Sequence, residues 1–206
     1  ADRTVFDFAE SNDCLGVKIA LSTVGTAGAL AAMNAEAEGW DFGKVRKEAH
    51  AKWHALLSKV EVKGSAEQKK NIYTSLYHLY IQPNEITDID GRYRNAAGEV
   101  VLSENGKFFS TFSLWDTYRA ANPFYTILNP DMVDGFVQSM IEQCDAQGFL
   151  PIWSLWGQET YCMIGNHAVP TVVEAYLKGF RGFDSGRAWE AVKKSLTSNH
   201  MRSSQF

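Results

Sequence analysis

Cysteine, surplus positive charge and long apolar runs are all scarce in this chain of 206 residues. The cysteines are Cys14, Cys144 and Cys162, none in a C-x-x-C pair, which argues against a cysteine-built zinc site. Their odd number leaves at least one thiol free and says nothing about compartment, because large secreted domains need no disulfides. A net charge of -4 offers no basic footprint, so no nucleic-acid partner is expected. No apolar run approaches the roughly 18 residues of a membrane helix, so no membrane span is expected. A signal peptide and an initiator Met are missing too, and the opening ADRTVFDF reads as mature, processed or cut out of something longer. H-E-x-x-H, the P-loop, G-x-S-x-G and G-x-G-x-x-G are all absent. In TDIDGRYR, Asp88 and Asp90 are hard oxygen donors, but Arg92 and Tyr93 occupy EF-hand positions that need an oxygen ligand and a glycine, so the stretch reads as a turn.

What is present is a globular composition, 45% apolar and 21% charged, enough for one domain or slightly more. Aromatic residues reach 13%, with six Trp, and such rings serve packing and sugar stacking alike. Residues Leu15 to Thr23 alternate Val17, Ile19 and Leu21 with Lys18, Ala20 and Ser22, a strand pattern whose partners are expected outside the chain. From Thr26 the sequence turns helical, with Gly39 as a stop. Phe42, Val45, Ala49, Trp53, Leu56, Leu57 and Val60 form an amphipathic stripe behind an Asp41 N-cap. Ser65 and Gln68 form a capping box, with a stripe through Leu79 and Tyr80 ended by Pro83. Residues 84 to 111 form a long connection with turns at Asp90-Gly91 and Ala97-Gly98. Helices follow over 113–128, over 131–147 with Gly148 as stop, from near Thr160 with Pro170 threatening a kink, and over 185–199. The alternation of helices and rich loops suits paired antiparallel helices.

Two clusters carry side chains fit for chemistry. In SLWDTYR, Ser113 and Asp116 match a capping box that starts a helix, and Arg119 stands three residues on, where it can pair with Asp116. The same geometry presents Trp115, Asp116, Thr117 and Arg119 to a cleft. A carboxylate accepts hydrogen bonds from vicinal sugar hydroxyls, and an indole covers the ring's apolar face. The second cluster, residues 150 to 170, holds Trp153, Trp156, Glu159, Thr160 and His167. Trp153 reads as core and Trp156, beside Gly157, as a ligand contact. Glu159 is placed before or at a helix start, where negative charge is favoured. A lone His167 reads more readily as a hydrogen-bonded core residue, and His54 and His78 as structural.

The stretches FSTFSLWDTYRAANPFYTILNPDMVDGFVQSM, GFLPIWSLWGQETYCMIGNHAVP and EAYLKGFRGFD, in that order, resemble glycoside hydrolase family 92, the calcium-dependent alpha-mannosidases. EQKKNIYTSLYHLYIQPNEITDIDGRYR and the GVKIALSTV and NAEAEGWDFGKVRKEAHAKW stretches extend the likeness over nearly the whole chain. Glu174 stands where the family pattern has Asp, which keeps the charge. The resemblance implies a mainly α chain. Residues 1–24 end a β-sandwich domain, residues 25–62 form linker helices, and residues 63–206 open an (alpha/alpha)6 barrel. It implies an enzyme that cleaves alpha-mannosidic bonds, alpha-1,2 among them, with inversion and calcium. The general acid, the base and the calcium ligands are expected outside this chain. Asp116, Trp115, Thr117 and Arg119 would hold the sugar, with Trp156, Glu159, Thr160 and His167 around it. The expected partner is a mannose-containing glycan, and the expected place secretion, the periplasm or the outer cell surface. The rival reading is a helical carbohydrate-binding or scaffold module without catalysis, and another alpha/alpha-barrel glycosidase family stands third.

Overall fold

A computed structural model describes residues 4–7 and 15–197, so Cys14 and the end of the last helical stretch lie outside the described residues. Three helices come first, α1 (Thr26–Glu36), α2 (Phe42–Leu57) and α3 (Ala66–Leu79). Short strands β1 (Asn84–Glu85), β2 (Arg92–Arg94), β3 (Val100–Leu102) and β4 (Phe109–Ser110) follow. Then come α4 (Leu114–Thr117), α5 (Ala121–Leu128), α6 (Pro130–Gln147), β5 (Ser154–Leu155), β6 (Gln158–Glu159), α7 (Ala168–Leu177) and α8 (Ser185–Thr197). The chain is thus mainly helical.

Local chemistry sets these boundaries. The Asp41 carboxylate accepts from the Lys44 N–H at 2.9 Å and starts α2. Both halves of the Ser65–Gln68 box form, at 2.9 and 3.2 Å, and start α3. Gly148, at φ 94°, takes the left-handed turn that ends α6. In the long connection, Gly98 (φ 83°) turns the β2–β3 hairpin, which pairs Tyr93 with Val101, while Gly91 (φ 81°) turns the chain just before β2. β1 and β4 close the connection's two ends antiparallel, Asn84 opposite Ser110.

α6 is the hub. Val133, Phe136, Val137, Met140, Ile141 and Cys144 are buried against α5, α7, α8 and β4. Phe136 meets the ring of Phe109 edge-on at 4.9 Å. Each such side chain contributes about 1.5–3 kcal/mol on burial. The opposite face of α6 is polar yet equally buried, and it binds the long connection. Ser139 Oγ accepts from the Phe109 N–H at 2.9 Å, and Glu142 accepts from the Tyr93 hydroxyl at 2.9 Å and the Gln138 amide at 3.3 Å. Beneath them Tyr93 and Phe108 stack at 3.9 Å.

Burial raises the Glu142 pKa above the ordinary carboxylate range, against the opposing pull of Tyr93, Gln138 and the Glu104 N–H. The folded state therefore holds the Glu142 proton more tightly than the unfolded chain. Stability attached to this group is present below the unfolded value of about 4.3 and falls as pH rises toward the raised folded value. Glu142→Gln is expected to flatten the pH dependence of the unfolding midpoint in that window, as denaturant titrations at stepped pH will read.

A second fastening joins the lead into α1 to the β2–β3 hairpin. Ser22 Oγ donates to Asp88 at 2.9 Å, and Arg94 donates from Nε to Thr23 O at 2.9 Å and from Nη2 to Val24 O at 3.3 Å. Gly28 lies so close that a Cβ there would stand 1.8 Å from Asp88 Oδ2. Gly28→Ala is expected to destabilise by about 2–4 kcal/mol, since the clash falls on a carboxylate already buried and bonded; an unfolding titration checks it.

Leu15 to Thr23, whose strand partners are expected outside the chain, have no ladder partner among the described residues, and Leu15, Val17, Ile19 and Leu21 are exposed. Two expectations are corrected. The single helix over 113–128 is two, broken after Thr117 by a turn and resumed at Ala121. The helix from Thr160 begins only at Ala168, which puts Pro170 in its first turn, where proline is tolerated and forms no kink.

Candidate functional site

β4 delivers the chain into the first cluster through Thr111, a buried β-branched residue at φ 65°. This left-handed backbone is costly for such a residue. Phe112 and Leu114 then anchor inward, and the residues between and after them face out. Ser113 forms a bridge with Trp153, Ser154 N–H donates to Phe112 O at 3.2 Å, and Phe112 N–H donates to Ser154 Oγ at 3.5 Å. The two clusters, some forty positions apart in sequence, are thereby fastened side by side.

Within the first cluster the expected capping box is not made. Ser113 donates its hydroxyl to Asp116 directly and accepts no backbone cap bond, so Asp116 stays exposed at the start of α4. Arg119 does not pair with Asp116 either. Its guanidinium lies over the rings of Trp115 (5.1 Å) and Tyr118 (4.9 Å), and its Nε donates to the Tyr118 hydroxyl at 3.0 Å. An exposed cation over a ring is stabilised by about 0.5–1 kcal/mol, comparable to a surface ion pair that must be desolvated. Thr117 Oγ1 donates to Ser113 O at 3.1 Å and accepts from Asn122, whose amide also reaches Thr171 Oγ1 at 3.1 Å.

In the second cluster β5 and β6 form a hairpin with Ser154 opposite Glu159. Its two-residue turn is Trp156 (φ 52°) and Gly157 (φ 83°). Glu159 therefore sits on a strand, not at a helix start, and the helix-end charge argument does not apply. Its carboxylate instead gathers backbone donors: Ile152 N–H at 2.8 Å, Thr160 N–H at 3.0 Å, Trp153 N–H at 3.1 Å and Tyr161 N–H at 3.3 Å. Thr160 Oγ1 donates to Trp153 O at 2.8 Å and touches Cys162 Sγ at 3.0 Å. Both side chains thus hold the loop's shape. Trp153 is half-buried, while Trp156 is 51% exposed. His167 stacks flat on Tyr118 at 4.3 Å, 6° from parallel, and its pKa is lowered by burial and then by the nearby Arg119 charge.

Trp115, Asp116, Thr117, Arg119, Trp153 and His167 are therefore joined through direct contacts or the Ser113 and Tyr118 links, whereas Trp156 stands off at its hairpin tip. Tyr118, Asn122 and Thr171 belong to the same arrangement, and the last two were not singled out in the sequence. Tyr118 lies within the quoted SLWDTYR motif, but Asn122 and Thr171 carry no local signal. Among the described residues the non-glycine residues with left-handed backbones are Thr111, at the entry to the first segment, and Trp156 and Tyr161 in the second, and such strain gathers at functional sites. Among the described residues no group of three or more His, Cys, Asp or Glu side chains is placed to hold a metal ion.

Residues 28–205 match a glycosyl hydrolase catalytic domain, that of family 92. The solved structure of a family GH92 alpha-mannosidase from Bacteroides thetaiotaomicron superposes with a TM-score of 0.82 at 36% identity, over 86% of this chain and 24% of that one. The same protein in complex with mannoimidazole gives the same values. A GH92 inverting mannosidase from Bacteroides thetaiotaomicron VPI-5482 matches with a TM-score of 0.82 at 27% identity, over 89% of this chain and 25% of that one. No curated protein matches. The chain belongs to glycosyl hydrolase family 92, and it spans about a quarter of the length of these solved relatives.

Proposed function

We propose that this chain is the sugar-gripping part of an inverting, calcium-dependent alpha-mannosidase acting on mannose-containing glycans with alpha-1,2 linkages. In this reading residues 63–206 open an (alpha/alpha)6 barrel, residues 25–62 are linker helices, and residues 1–24 end a β-sandwich domain. The uncovered apolar row at Leu15, Val17, Ile19 and Leu21 would then find its sheet there. The observation that carries the proposal is the family match over residues 28–205.

Asp116, exposed and bonded by a neutral hydroxyl, accepts hydrogen bonds from two adjacent hydroxyls of the mannose held for cleavage. Trp115, braced by Arg119, covers the ring's apolar face, and Thr117 closes the side. Glu159 and Thr160 shape the wall, and His167, stacked on Tyr118, is the most distant contributor. Inversion needs a carboxylic acid that protonates the leaving oxygen and a carboxylate that activates water on the opposite face. Both are assigned to residues outside this chain, as are the calcium ligands, and the enzyme is placed in a secreted, periplasmic or outer-surface setting.

The test is a polypeptide carrying this chain within the complete catalytic domain. It is expected to hydrolyse aryl alpha-mannosides and not aryl alpha-glucosides, to lose turnover to a chelator and regain it with calcium, and to release beta-mannose first by proton NMR. Preference for glucosides would assign another alpha/alpha-barrel chemistry. Binding of mannosides without turnover would make it a binding module. The isolated chain of 206 residues is expected to be inactive; turnover by it would place the acid and base within it.

A further inference from the structure

α2 buries none of its residues fully. The Trp53 ring holds it to α3 against Tyr77 at 4.5 Å, and beyond its end the Tyr73 hydroxyl donates to Val60 O at 2.9 Å. Its exposed surface carries His50 and His54, four positions apart and so one turn above each other. The two imidazoles face one another, with ring centroids 6.2 Å apart and planes 24° from parallel. Among the described residues neither ring has a hydrogen bond or an ion pair. Packing therefore gives no reason for this pair.

Two histidines at this spacing on one helix face are the paired donors of helical zinc sites. Zinc sits about 2.0–2.1 Å from each imidazole nitrogen, which puts two rings on one tetrahedral cation on the order of 5 Å apart, centre to centre. The observed separation closes to that value by rotation of two exposed side chains, with no protein hydrogen bond to break. His54 lies in the last turn of α2, where the negative end of the helix dipole favours a bound cation. Arg46 and Lys47, four and three positions before His50, oppose it. The stretch HAKWH lacks the Glu that serves such sites as a base, so the pair binds a cation without activating water. Imidazole suits zinc, copper and nickel, whereas calcium takes oxygen ligands. We propose that His50 and His54 form a surface site for a divalent transition cation, which staples one turn of α2 and has water in its remaining positions. This inference is independent of the mannosidase reading and of any calcium site.

The test titrates zinc into a polypeptide carrying this chain within the complete catalytic domain, with calcium held in excess, and reads binding by calorimetry. His50→Gln and His54→Gln are each expected to weaken one zinc site at least about tenfold, since even a residue that only orients a metal ligand is worth about ten- to a hundredfold. Arg46→Glu replaces a cation by a carboxylate one turn away and is expected to tighten the same site severalfold. His78→Gln, on α3, leaves it unchanged. Copper binds more tightly than zinc, and its electron paramagnetic resonance spectrum in the wild-type domain shows two coupled imidazole nitrogens, a reading that serves should a variant fold poorly. No zinc binding by the wild-type domain, binding that neither histidine substitution weakens, displacement of zinc by calcium, or a copper spectrum without two imidazole nitrogens overturns the inference. None of these outcomes bears on whether the domain cleaves mannosides.

Discussion

Gly157→Ala is expected to destabilise the protein by about 3–5 kcal/mol, the largest effect of any single methyl group added in the site region. Two penalties coincide there. The backbone at φ 83° disfavours any Cβ, by roughly 1–2 kcal/mol. The added Cβ would also stand 2.6 Å from the Arg94 carbonyl oxygen, a backbone atom with no rotamer to escape into, and 3.3 Å from Ile86 Cδ1. Gly98 supplies the control: it has the same φ of 83°, and a Cβ there meets nothing within 4 Å. Gly98→Ala should therefore show the backbone term alone, about 1 kcal/mol. The difference between the two variants in urea titrations reads the collision. Equal losses would mean that the hairpin does not rest on Arg94.

Asp116→Ala in the complete catalytic domain is expected to lower turnover on alpha-mannosides about ten- to a hundredfold. A hydrogen bond to a charged group is worth about 1.5–3 kcal/mol, and the rate falls by that much when the bond strengthens in the transition state. Stability should hardly move. Among the described residues Asp116 caps no helix N–H and pairs with no cation, and its side chain is bonded by the Ser113 hydroxyl alone. Surface changes of that kind stay within about 0.5 kcal/mol. Steady-state kinetics beside a thermal melt separate the two quantities. Near-normal turnover in a folded variant would remove Asp116 from the site.

The sequence was legible where a boundary is written locally. The Asp41 cap, the Ser65–Gln68 box and the Gly148 stop were each readable from a few residues, because each motif contains both donor and acceptor. It misled where one motif had two outcomes. Ser113 and Asp116 fit a box, yet Ser113 turned its hydroxyl to the carboxylate and its backbone to Trp153. The start of α7 was placed near Thr160, although Pro170 marks a first turn better than a kink. Contacts between distant segments were out of reach. Nothing near Glu142 announces Tyr93, nothing near Tyr118 announces His167, and nothing near Arg94 announces Thr23. Of the candidate site, residue types and their two segments were readable, but the task of each side chain was not. Glu159 shows this most plainly, since a carboxylate offered to a ligand and one turned onto four backbone amides look alike in sequence.

Arg94 grips Thr23 and Val24 with its side chain while its own carbonyl supports Gly157. One residue thus couples the entry of the chain to the perch of the outermost indole. A substitution at Arg94 would therefore be felt at both places at once, while the Ser22–Asp88 contact would still hold the entry and the Ser110 hydroxyl the turn.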